Sequence, residues 1–201
     1  MYAVKNLHLE VDMKQAKVLN DKELKRVIDF IDATDRHAER NRTMLLLTHL
    51  CGMRVNEIAN LKKTDVLTSK GDIVDVIYLN AEQTKGSDSR RVFVNKKAKS
   101  LLKRYINANL SAVHSPYLFT TQKSKQFLPN TLTQLLKRLY EQVGFNNCSS
   151  HSGRRTFITK LATNGVNVRV IAELASHKSI QTTQRYIDIN DNLCSNAVEL
   201  V

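Results

Sequence analysis

The sequence predicts a mainly α-helical domain with a small antiparallel β-sheet, an α+β fold. Three observations support this class. Apolar residues recur at helical spacing along most of the chain, two short runs of β-branched and aromatic residues stand close together in its middle, and no linker or repeat separates two cores. The chain has 201 residues, of which 42% are hydrophobic, and this is sufficient for one packed core.

The first predicted helix begins after Asn20, where Glu23 completes the pattern of a reciprocal capping box. A second helix is predicted over 38–50 and a third, shorter one over about 55–61. Arg54 therefore lies at the corner between two helices, from which a long side chain can leave the core.

Residues 73–79 and 90–94 are predicted to pair as antiparallel strands, because both are rich in β-branched and aromatic residues. The segment between them contains turn signals, so Lys85 is predicted to lie in the turn of a hairpin. The remaining predicted helices lie after the hairpin, at about 96–109, 130–143, 152–163, 168–175 and 180–186.

The chain is strongly basic, with 31 Lys and Arg residues against 19 acidic ones and a formal charge of +12. Such an excess favours a polyanionic partner, and nucleic acid is the leading candidate. Residues 85–104 carry eight basic side chains and one acidic side chain, whereas 187–201 carry three acidic and no basic ones. A basic run can also be an ordinary solvated surface, so charge alone leaves the function open. We predict that DNA is contacted by Arg90, Arg91, Lys96, Lys97 and Arg155.

Cysteine usage and hydropathy indicate a cytoplasmic protein. Cys51, Cys148 and Cys194 are odd in number and widely spaced, which predicts reduced thiols rather than disulfides or a zinc site. No apolar run approaches the roughly 18 residues of a membrane span, and the acidic start of the chain does not resemble a signal peptide. We therefore expect no membrane partner, no metal and no cofactor.

Six side chains together suit the cleavage of a phosphodiester without a metal ion. Such cleavage needs a nucleophile, neutralisation of the charge on the non-bridging oxygens, and a proton for the leaving alkoxide. Guanidinium groups are permanently charged and make forked contacts with phosphate, and a phenol can attack to form a phosphotyrosine ester. The six side chains are Arg54, Lys85, His151, Arg154, His177 and Tyr186.

In this hypothesis the two arginines clamp the phosphate and the tyrosine is the nucleophile. The first histidine supplies a base or a hydrogen bond, the second donates to the phosphate, and the lysine protonates the leaving 5′ oxygen. Each residue also has an ordinary explanation as a surface charge, a helix cap or a core aromatic. Their joint occurrence in this order favours the chemical interpretation.

Four motifs in this chain resemble those of the tyrosine recombinase, or phage integrase, family. They are G-M-R-V-N-E-I at 52–58, T-K-G at 84–86, H-S-G-R-R-T-F at 151–157 and L-A-S-H-K-S-I-Q-T-T-Q-R-Y at 174–186. The last motif is the most specific, because it follows the closing pattern of the family nearly residue for residue. The resemblance covers about residues 18–190, which is similar to the whole catalytic domain of the family.

The resemblance implies the tyrosine recombinase catalytic-domain fold and the function of a site-specific DNA recombinase. It implies that Tyr186 forms a covalent 3′-phosphotyrosine and that the other five side chains activate and stabilise the phosphate. It also implies that Glu57 orients the first arginine, although an acidic charge at a helix N-terminus explains this residue equally well. The expected partners are double-stranded DNA, further copies in a homo-tetramer on paired DNA sites, and accessory DNA-bending proteins.

The predicted organisation is an N-terminal arm over 1–17, a catalytic domain over 18–190 and a tail over 191–201 that could be exchanged between subunits. The N-terminal core-binding domain that most family members carry is expected to be absent. The chain is then either a fragment or a member of a short, single-domain type.

Two positions depart from the family pattern. Gly153 stands where Leu is usual, and Ser176 stands where Gly usually precedes the second histidine. A glycine lowers helix propensity by about 1 kcal/mol relative to alanine and removes an apolar contact. We therefore expect both changes to loosen the positioning of the neighbouring site residues.

Two other functions stay open from the sequence. A non-catalytic DNA-binding regulator could keep the fold and the basic face, although the presence of all six side chains argues against it. A type IB topoisomerase-like enzyme would share the chemistry and differ in its assembly. A zinc enzyme is disfavoured, because His151 and His177 lack the spacing of helical ligands and no Cys or Asp completes a set.

Overall fold

The computed structural model describes residues 16–84, 88–109, 115–186, 195 and 198–199. Two strands, β1 (Val76–Leu79) and β2 (Arg90–Phe93), pair in an antiparallel sheet. The predicted class, mainly α with a small antiparallel sheet, is confirmed. The helices of the described residues are α1 (Asp21–Thr34), α2 (Ala38–Leu50), α3 (Val55–Ala59), α4 (Lys63–Val66), α5 (Lys96–Ala108), α6 (Pro129–Glu141), α7 (Ser152–Thr163), α8 (Val168–Ala175) and α9 (Ile180–Gln184).

Helix α1 begins as the sequence predicts. The side chain of Asn20 accepts a hydrogen bond from the Glu23 backbone N–H (2.9 Å), and the Glu23 carboxylate accepts one from the Asn20 N–H (3.0 Å). This pair satisfies two N–H groups that the start of a helix leaves without intrahelical partners. Val27 and Ile31, four residues apart on one face, are fully buried, and α1 packs on α2 and α6.

Helix α2 packs against several of the other helices. Met44, Leu45 and Leu47 are fully buried, and α1, α5 and α7 all contact this helix. Because α2 is covered on several sides, its apolar residues do not follow one narrow stripe. Its last turn leads directly into residues 52–54, so the packing of α2 determines where that segment lies.

The sheet has one face toward the core and one toward solvent. Ile77 pairs with Val92 and Leu79 pairs with Arg90, and all four side chains are buried. Side chains alternate between the two faces of a strand, and Tyr78 on the outer face is 70% exposed. The pleat therefore directs Arg90 into the interior.

The first strand is shorter than predicted, because its N-terminal part pairs with the segment before it. Ile73 forms an isolated bridge with Leu67, and the Val74 N–H donates to the Val66 carbonyl (3.0 Å). These backbone groups are already satisfied and cannot extend the pairing with β2. The prediction of a strand over 73–79 is wrong for its first three residues.

Two short elements escape the sequence analysis, namely α4 and a 3-10 turn over Ala81–Gln83. They have four and three residues, too few to show a periodic pattern. The buried side-chain amide of Gln83 donates to the Asp65 carboxylate (2.6 Å) and to the Asn60 carbonyl (3.1 Å). The start of the hairpin turn is thereby attached to α4.

Gly153 allows α7 to lie close against α2. It is buried, and a Cβ atom at this position would lie 1.8 Å from Oγ1 of Thr48 and 2.8 Å from Cδ2 of His49. The missing side chain therefore permits the close approach of the helix that carries Arg154 to the helix that leads to Arg54. This contact is tight, contrary to the loosening expected from the sequence.

Parts of the predicted organisation lie outside the described residues, namely 1–15 of the arm and most of the tail. The end of the arm packs on the domain, since the Lys17 N–H donates to the Asn147 carbonyl (3.1 Å) and the Lys17 side chain pairs with Glu23 (2.6 Å). None of the helices in the described part has both the length and the hydropathy of a membrane-spanning helix. Cys51 and Cys148 are buried free thiols, and Cys194 is outside the described residues.

A buried histidine lies beside the contact between α2 and α7. His49 is 6% exposed, and its Nε2 is 3.0 Å from the hydroxyl of Tyr140. Burial, with a smaller contribution from Lys160, lowers the pKa of His49 to about 3. The ring is therefore neutral in the folded protein at neutral pH.

Acidification should destabilise the protein through His49. The unfolded chain binds a proton on this residue near pH 6.5, whereas the folded protein resists it until about pH 3. Stability is therefore fully present above pH 6.5 and is lost as the pH falls from there toward 3. Lowering the pH from 7 to 5 should cost about 2 kcal/mol through this residue. Urea unfolding at both pH values should show a smaller loss in His49→Gln than in the wild type, and equal losses would contradict the assignment.

Substitution of Gly153 by alanine should destabilise the protein, although alanine is the better helix former. We expect a loss of about 1–3 kcal/mol in the free energy of unfolding, because the new methyl group overlaps Thr48. Adding Thr48→Ala removes the nearest atom and should recover part of that loss. Urea titrations of the single and double variants test this, and a stabilised Gly153→Ala protein would show that the helices have room to separate.

Candidate active site

Arg54 lies immediately before α3 and is held there by Glu57. The Arg54 backbone N–H donates to Glu57 Oε2 (2.7 Å), and its Nη1 donates to Oε1 (2.8 Å). The Glu57 side chain is fully buried, whereas that of Arg54 is 28% exposed. One carboxylate thus caps the first turn of α3 and orients the guanidinium group. Both explanations of Glu57 that the sequence left open fit this geometry.

The turn before α3 requires a glycine. Gly52 has a φ of +61°, and a Cβ atom there would lie 2.5 Å from Cδ1 of Phe157 on α7. Both the left-handed conformation and the neighbouring ring therefore disfavour a side chain at this position. The close approach leaves the Gly52 carbonyl facing α7, where it accepts a hydrogen bond from Nη1 of Arg154 (2.5 Å).

Arg154 extends from α7 to the same place as Arg54. Its Nη2 donates to the carbonyl of Ala175 at the end of α8. Nη2 of Arg54 donates to the Ser176 carbonyl (3.0 Å) and lies 3.4 Å from the Ala175 carbonyl oxygen. Two guanidinium groups that are far apart in the sequence therefore meet at the C-terminal end of α8, where the last carbonyls of a helix carry partial negative charge.

A third guanidinium group lies behind these two. The side chain of Arg90 is 2% exposed and forms a buried ion pair with Oε2 of Glu57. Its Nη2 donates to the Leu174 carbonyl (3.0 Å). This burial conflicts with the prediction that Arg90 contacts DNA, and the cause is the pleat of β2, which turns this side chain inward.

His177 follows a left-handed turn that ends α8. Ser176 in that turn has a φ of +47° and a ψ of +56°. Nδ1 of His177 is 2.8 Å from Oγ1 of Thr183, whose side chain is buried. Burial and then the three nearby guanidinium groups, that of Arg154 first, lower the pKa of His177 to about 4. The imidazole ring is therefore neutral at pH 7.

Tyr186 lies just after α9, against His177. The two ring centroids are 5.9 Å apart with an interplanar angle of 22°. The guanidinium carbon of Arg155 is 6.0 Å from the centroid of the tyrosine ring. The phenol ring is thus in contact range of an imidazole and a cation, and it is only partly buried.

Two cavities meet at this place. One, of about 430 Å³, is bordered by Tyr186 and His151. The other is an open groove of about 620 Å³ that is bordered by Arg54 and His177. Thr182 borders both cavities, so the predicted nucleophile lies next to the groove that contains two of the predicted phosphate ligands. Arg154 is buried and borders neither cavity.

The site carries more positive than negative charge. Three guanidinium groups lie around the buried carboxylate of Glu57, which is a net of +2 for these four side chains. Burial, and then the positive charges of Arg54 and Arg90, lower the pKa of Arg154 to about 9. Burial acts to raise the pKa of Glu57, but Arg90 and then the hydrogen bonds from Arg54 hold it below its usual range. An anion bound here would relieve the repulsion among the guanidinium groups.

The other residues predicted to act on DNA lie in different environments. Arg91, Lys96 and Lys97 are exposed, and Arg155 is partly buried beside the tyrosine ring. Lys85, the predicted proton donor to the leaving group, lies outside the described residues. Among the residues that are described, no group of three or more His, Cys, Asp or Glu side chains is placed to hold a metal ion.

Two residues of this site, Thr183 and Arg90, were not predicted to belong to it. Thr183 contacts His177. The only sequence signal for this contact was weak: Thr183 lies six residues after His177, in the T-T-Q-R-Y segment. Arg90 was assigned to the surface. The alternation of the 90–94 run could have corrected this, because Arg90, Val92 and Val94 must share one face of the strand.

The sequence matches the model of the Phage integrase family over residues 17–192, and the chain belongs to that family. It is 30% identical to the tyrosine recombinase XerA of Pyrococcus horikoshii over 186 residues, which cover 91% of this chain and 60% of that protein. It is 31% identical to XerA of Pyrococcus furiosus, with 91% of this chain and 61% of that protein covered. The chain thus spans about 60% of the length of the curated relatives it matches.

Solved structures of tyrosine recombinases have the same fold. The crystal structure of XerA superposes with a TM-score of 0.73 at 26% identity, covering 92% of this chain and 64% of that one. XerH bound to its difH substrate superposes with a TM-score of 0.69 at 25% identity, covering 90% of this chain and 53% of that one. The Tn1549 transposon integrase in complex with transposon right end DNA has a TM-score of 0.72 at 18% identity, covering 94% and 67%, and this likeness concerns the fold alone.

Replacing Ser176 by glycine should stabilise the protein. A left-handed conformation costs a residue with a Cβ atom about 1–2 kcal/mol and costs glycine almost nothing, so we expect a gain of about 1 kcal/mol in the free energy of unfolding. Ser176→Ala keeps the Cβ atom and should show no such gain. Chemical denaturation of both variants tests this, and equal stabilisation by alanine and glycine would rule out backbone strain as the cause.

Proposed function

We propose that this chain carries the catalytic site of a site-specific DNA recombinase, a metal-independent strand transferase that cleaves and rejoins DNA through a covalent 3′-phosphotyrosine. The observation that supports the proposal most is the meeting of Arg54 and Arg154 at one backbone carbonyl beside His177 and Tyr186. Such a cluster suits a phosphodiester, because guanidinium groups stabilise charge on non-bridging oxygens. Membership of the Phage integrase family gives independent support.

In the proposed reaction, the phenolic oxygen of Tyr186 attacks the phosphorus and the bond to the 5′ oxygen breaks. The tyrosine loses its proton, and the departing 5′ oxygen gains one from Lys85, so that a 5′-hydroxyl is released. The reverse attack by a 5′-hydroxyl restores the tyrosine and joins the strands. His151, which borders the same cavity as Tyr186, is proposed to accept or stabilise the phenolic proton.

The environment of His177 supports a role as a hydrogen-bond donor. The ring is neutral, so only one of its two nitrogens carries a proton. If the hydroxyl of Thr183 donates to Nδ1, then the proton resides on Nε2, which can donate to a phosphate oxygen. We propose this tautomer in the DNA complex, with Thr183 selecting it.

The proposed partner is double-stranded DNA, contacted in part by the exposed Arg91, Lys96 and Lys97 and by Arg155. The solved structure of XerH bound to its difH substrate supports this, because XerH is 25% identical to the chain and has the same fold. We further propose a homo-tetramer on two sites, with exchange of the 191–201 tail and with accessory DNA-bending proteins, in the cytoplasm. No cofactor or metal is assigned a step.

The two alternative functions differ from this one in measurable ways. A non-catalytic regulator would bind DNA without forming a covalent adduct. A type IB topoisomerase-like enzyme would form the adduct and relax supercoils as a monomer, without exchange between paired sites. The match to tyrosine recombinases favours neither alternative.

Tyr186→Phe should abolish covalent attachment to DNA and leave DNA binding intact, because only the attacking oxygen is removed. The wild type, the variant and the control Tyr78→Phe are incubated in EDTA with a nicked suicide substrate and analysed by denaturing electrophoresis. Tyr78 is an exposed tyrosine on the outer face of the sheet, and its variant should form adduct like the wild type.

An adduct in the Tyr186→Phe protein would show that another residue attacks. Binding without any wild-type adduct would favour the regulator. Adduct formation together with relaxation of supercoils, in the absence of exchange between two sites, would favour the topoisomerase-like activity.

A further inference from the structure

Arg90 is a buried charged residue for which the proposed reaction has no step. Its partner across the sheet is Leu79, and the neighbouring inward position of β2 is occupied by Val92. Two of its nitrogens reach acceptors, Glu57 and the Leu174 carbonyl, and its Nε is buried without a partner in the described part of the chain. An apolar side chain would fit such a position of the strand better than an arginine.

Stability is a poor explanation for this arginine. Removing a guanidinium group from water is costly, and a buried ion pair often stabilises a fold no more than apolar residues of similar size. One nitrogen without a partner adds to that cost. The reason for Arg90 is therefore to be sought in the group that it holds.

That group is the carboxylate that Arg54 also uses. Oε1 of Glu57 binds Nη1 of Arg54, and Oε2 binds the Arg54 backbone N–H and Nη1 of Arg90. Without Arg90, the carboxylate of Glu57 would be bound by the guanidinium group of Arg54 alone. The negative charge of Glu57 would then largely neutralise the guanidinium group of Arg54. Arg54 would consequently attract a phosphate less strongly.

We propose that Arg90 is a positioning residue of the cleavage site. It balances the charge of Glu57 and fixes the orientation of the carboxylate, so that Glu57 can hold Arg54 in place while the positive charge of Arg54 stays available to the scissile phosphate. Arg90 acts indirectly, by binding Glu57, and does not contact the DNA. This inference rests on the proposed function.

The first test is a double-mutant cycle between Arg90 and Glu57. Arg90→Met should lower the single-turnover cleavage rate at saturating DNA by about 100-fold, as expected for a misplaced phosphate ligand. The dissociation constant for DNA should change by less than about threefold, because the Arg90 side chain is only 2% exposed and the affinity for DNA is spread over many phosphate contacts. Glu57→Gln combined with Arg90→Met should cleave at least about fivefold faster than Arg90→Met alone, because the uncompensated carboxylate is gone.

Arg42→Met is the matched control. Arg42 is also buried, pairs with two carboxylates, Asp32 and Glu39, and has a buried Nε without a partner among the described residues. It lies on α2 away from the site, so its loss should lower stability without changing the cleavage rate. The proposal is overturned if Arg90→Met cleaves no more slowly than Arg42→Met, or if the Glu57 and Arg90 effects simply multiply.

A substrate with a neutral phosphate separates positioning from general damage. Replacing the scissile phosphate by a methylphosphonate removes the charge that Arg54 balances. On this DNA the rate defect of Arg90→Met should shrink to less than about tenfold, together with the defect of Arg54→Met. A defect of unchanged size on both substrates would mean that Arg90 supports the fold only, and would overturn the proposal.

Binding of inorganic phosphate tests the role of Arg90 even if the chain proves not to cleave DNA. A wild type that forms no covalent adduct refutes the proposed function by itself. In that case isothermal titration calorimetry with inorganic phosphate should still show weaker binding to Arg90→Met than to the wild type and to Arg42→Met, with recovery in the double variant with Glu57→Gln. Equal phosphate affinity in all four proteins would overturn the role of Arg90.

Discussion

A single buried carboxylate holds the candidate site together. Arg54, Arg90 and Arg154 carry like charges and would repel one another, yet they lie around Glu57 and four backbone carbonyls. The carboxylate binds two of the guanidinium groups directly, and the carbonyl dipoles orient the third. Because the three positive charges exceed the one negative charge of Glu57, the cluster still attracts an anion. Burial, and then the same charges, keep the neighbouring imidazole of His177 neutral, as a hydrogen-bonding group rather than a further cation.

Close backbone packing is the second condition for this arrangement. Gly52 and Gly153 both lie where α7 approaches the end of α2, and neither has room for a Cβ atom. The contact places the carbonyl of Gly52 within reach of Arg154. The glycine that departs from the family pattern therefore strengthens the contact between two parts of the site. Ser176 differs, because it holds a left-handed turn without the conformational freedom of a glycine.

Much of the fold could be predicted from the sequence, because helices with strong local signals form where those signals are. The capping pair of Asn20 and Glu23 marked the start of α1, and the helical spacing after it marked a buried face. The errors occurred where local patterns are short or compete. The 3-10 turn over Ala81–Gln83 is too short for periodicity. Ile73 and Val74 pair with the preceding segment, although their composition favours a strand with β2.

The chemical groups of the candidate site and their order can be read directly along the chain, from the spacing of Arg54, Arg154, His177 and Tyr186. Which of the basic residues face inward follows from the packing of the folded chain. Arg90 and Arg91 are neighbours of the same type, yet one is buried against a carboxylate and the other is exposed. The difference arises because strand register and helix packing depend on contacts between segments that are distant in sequence. The identity of a residue alone does not show those contacts.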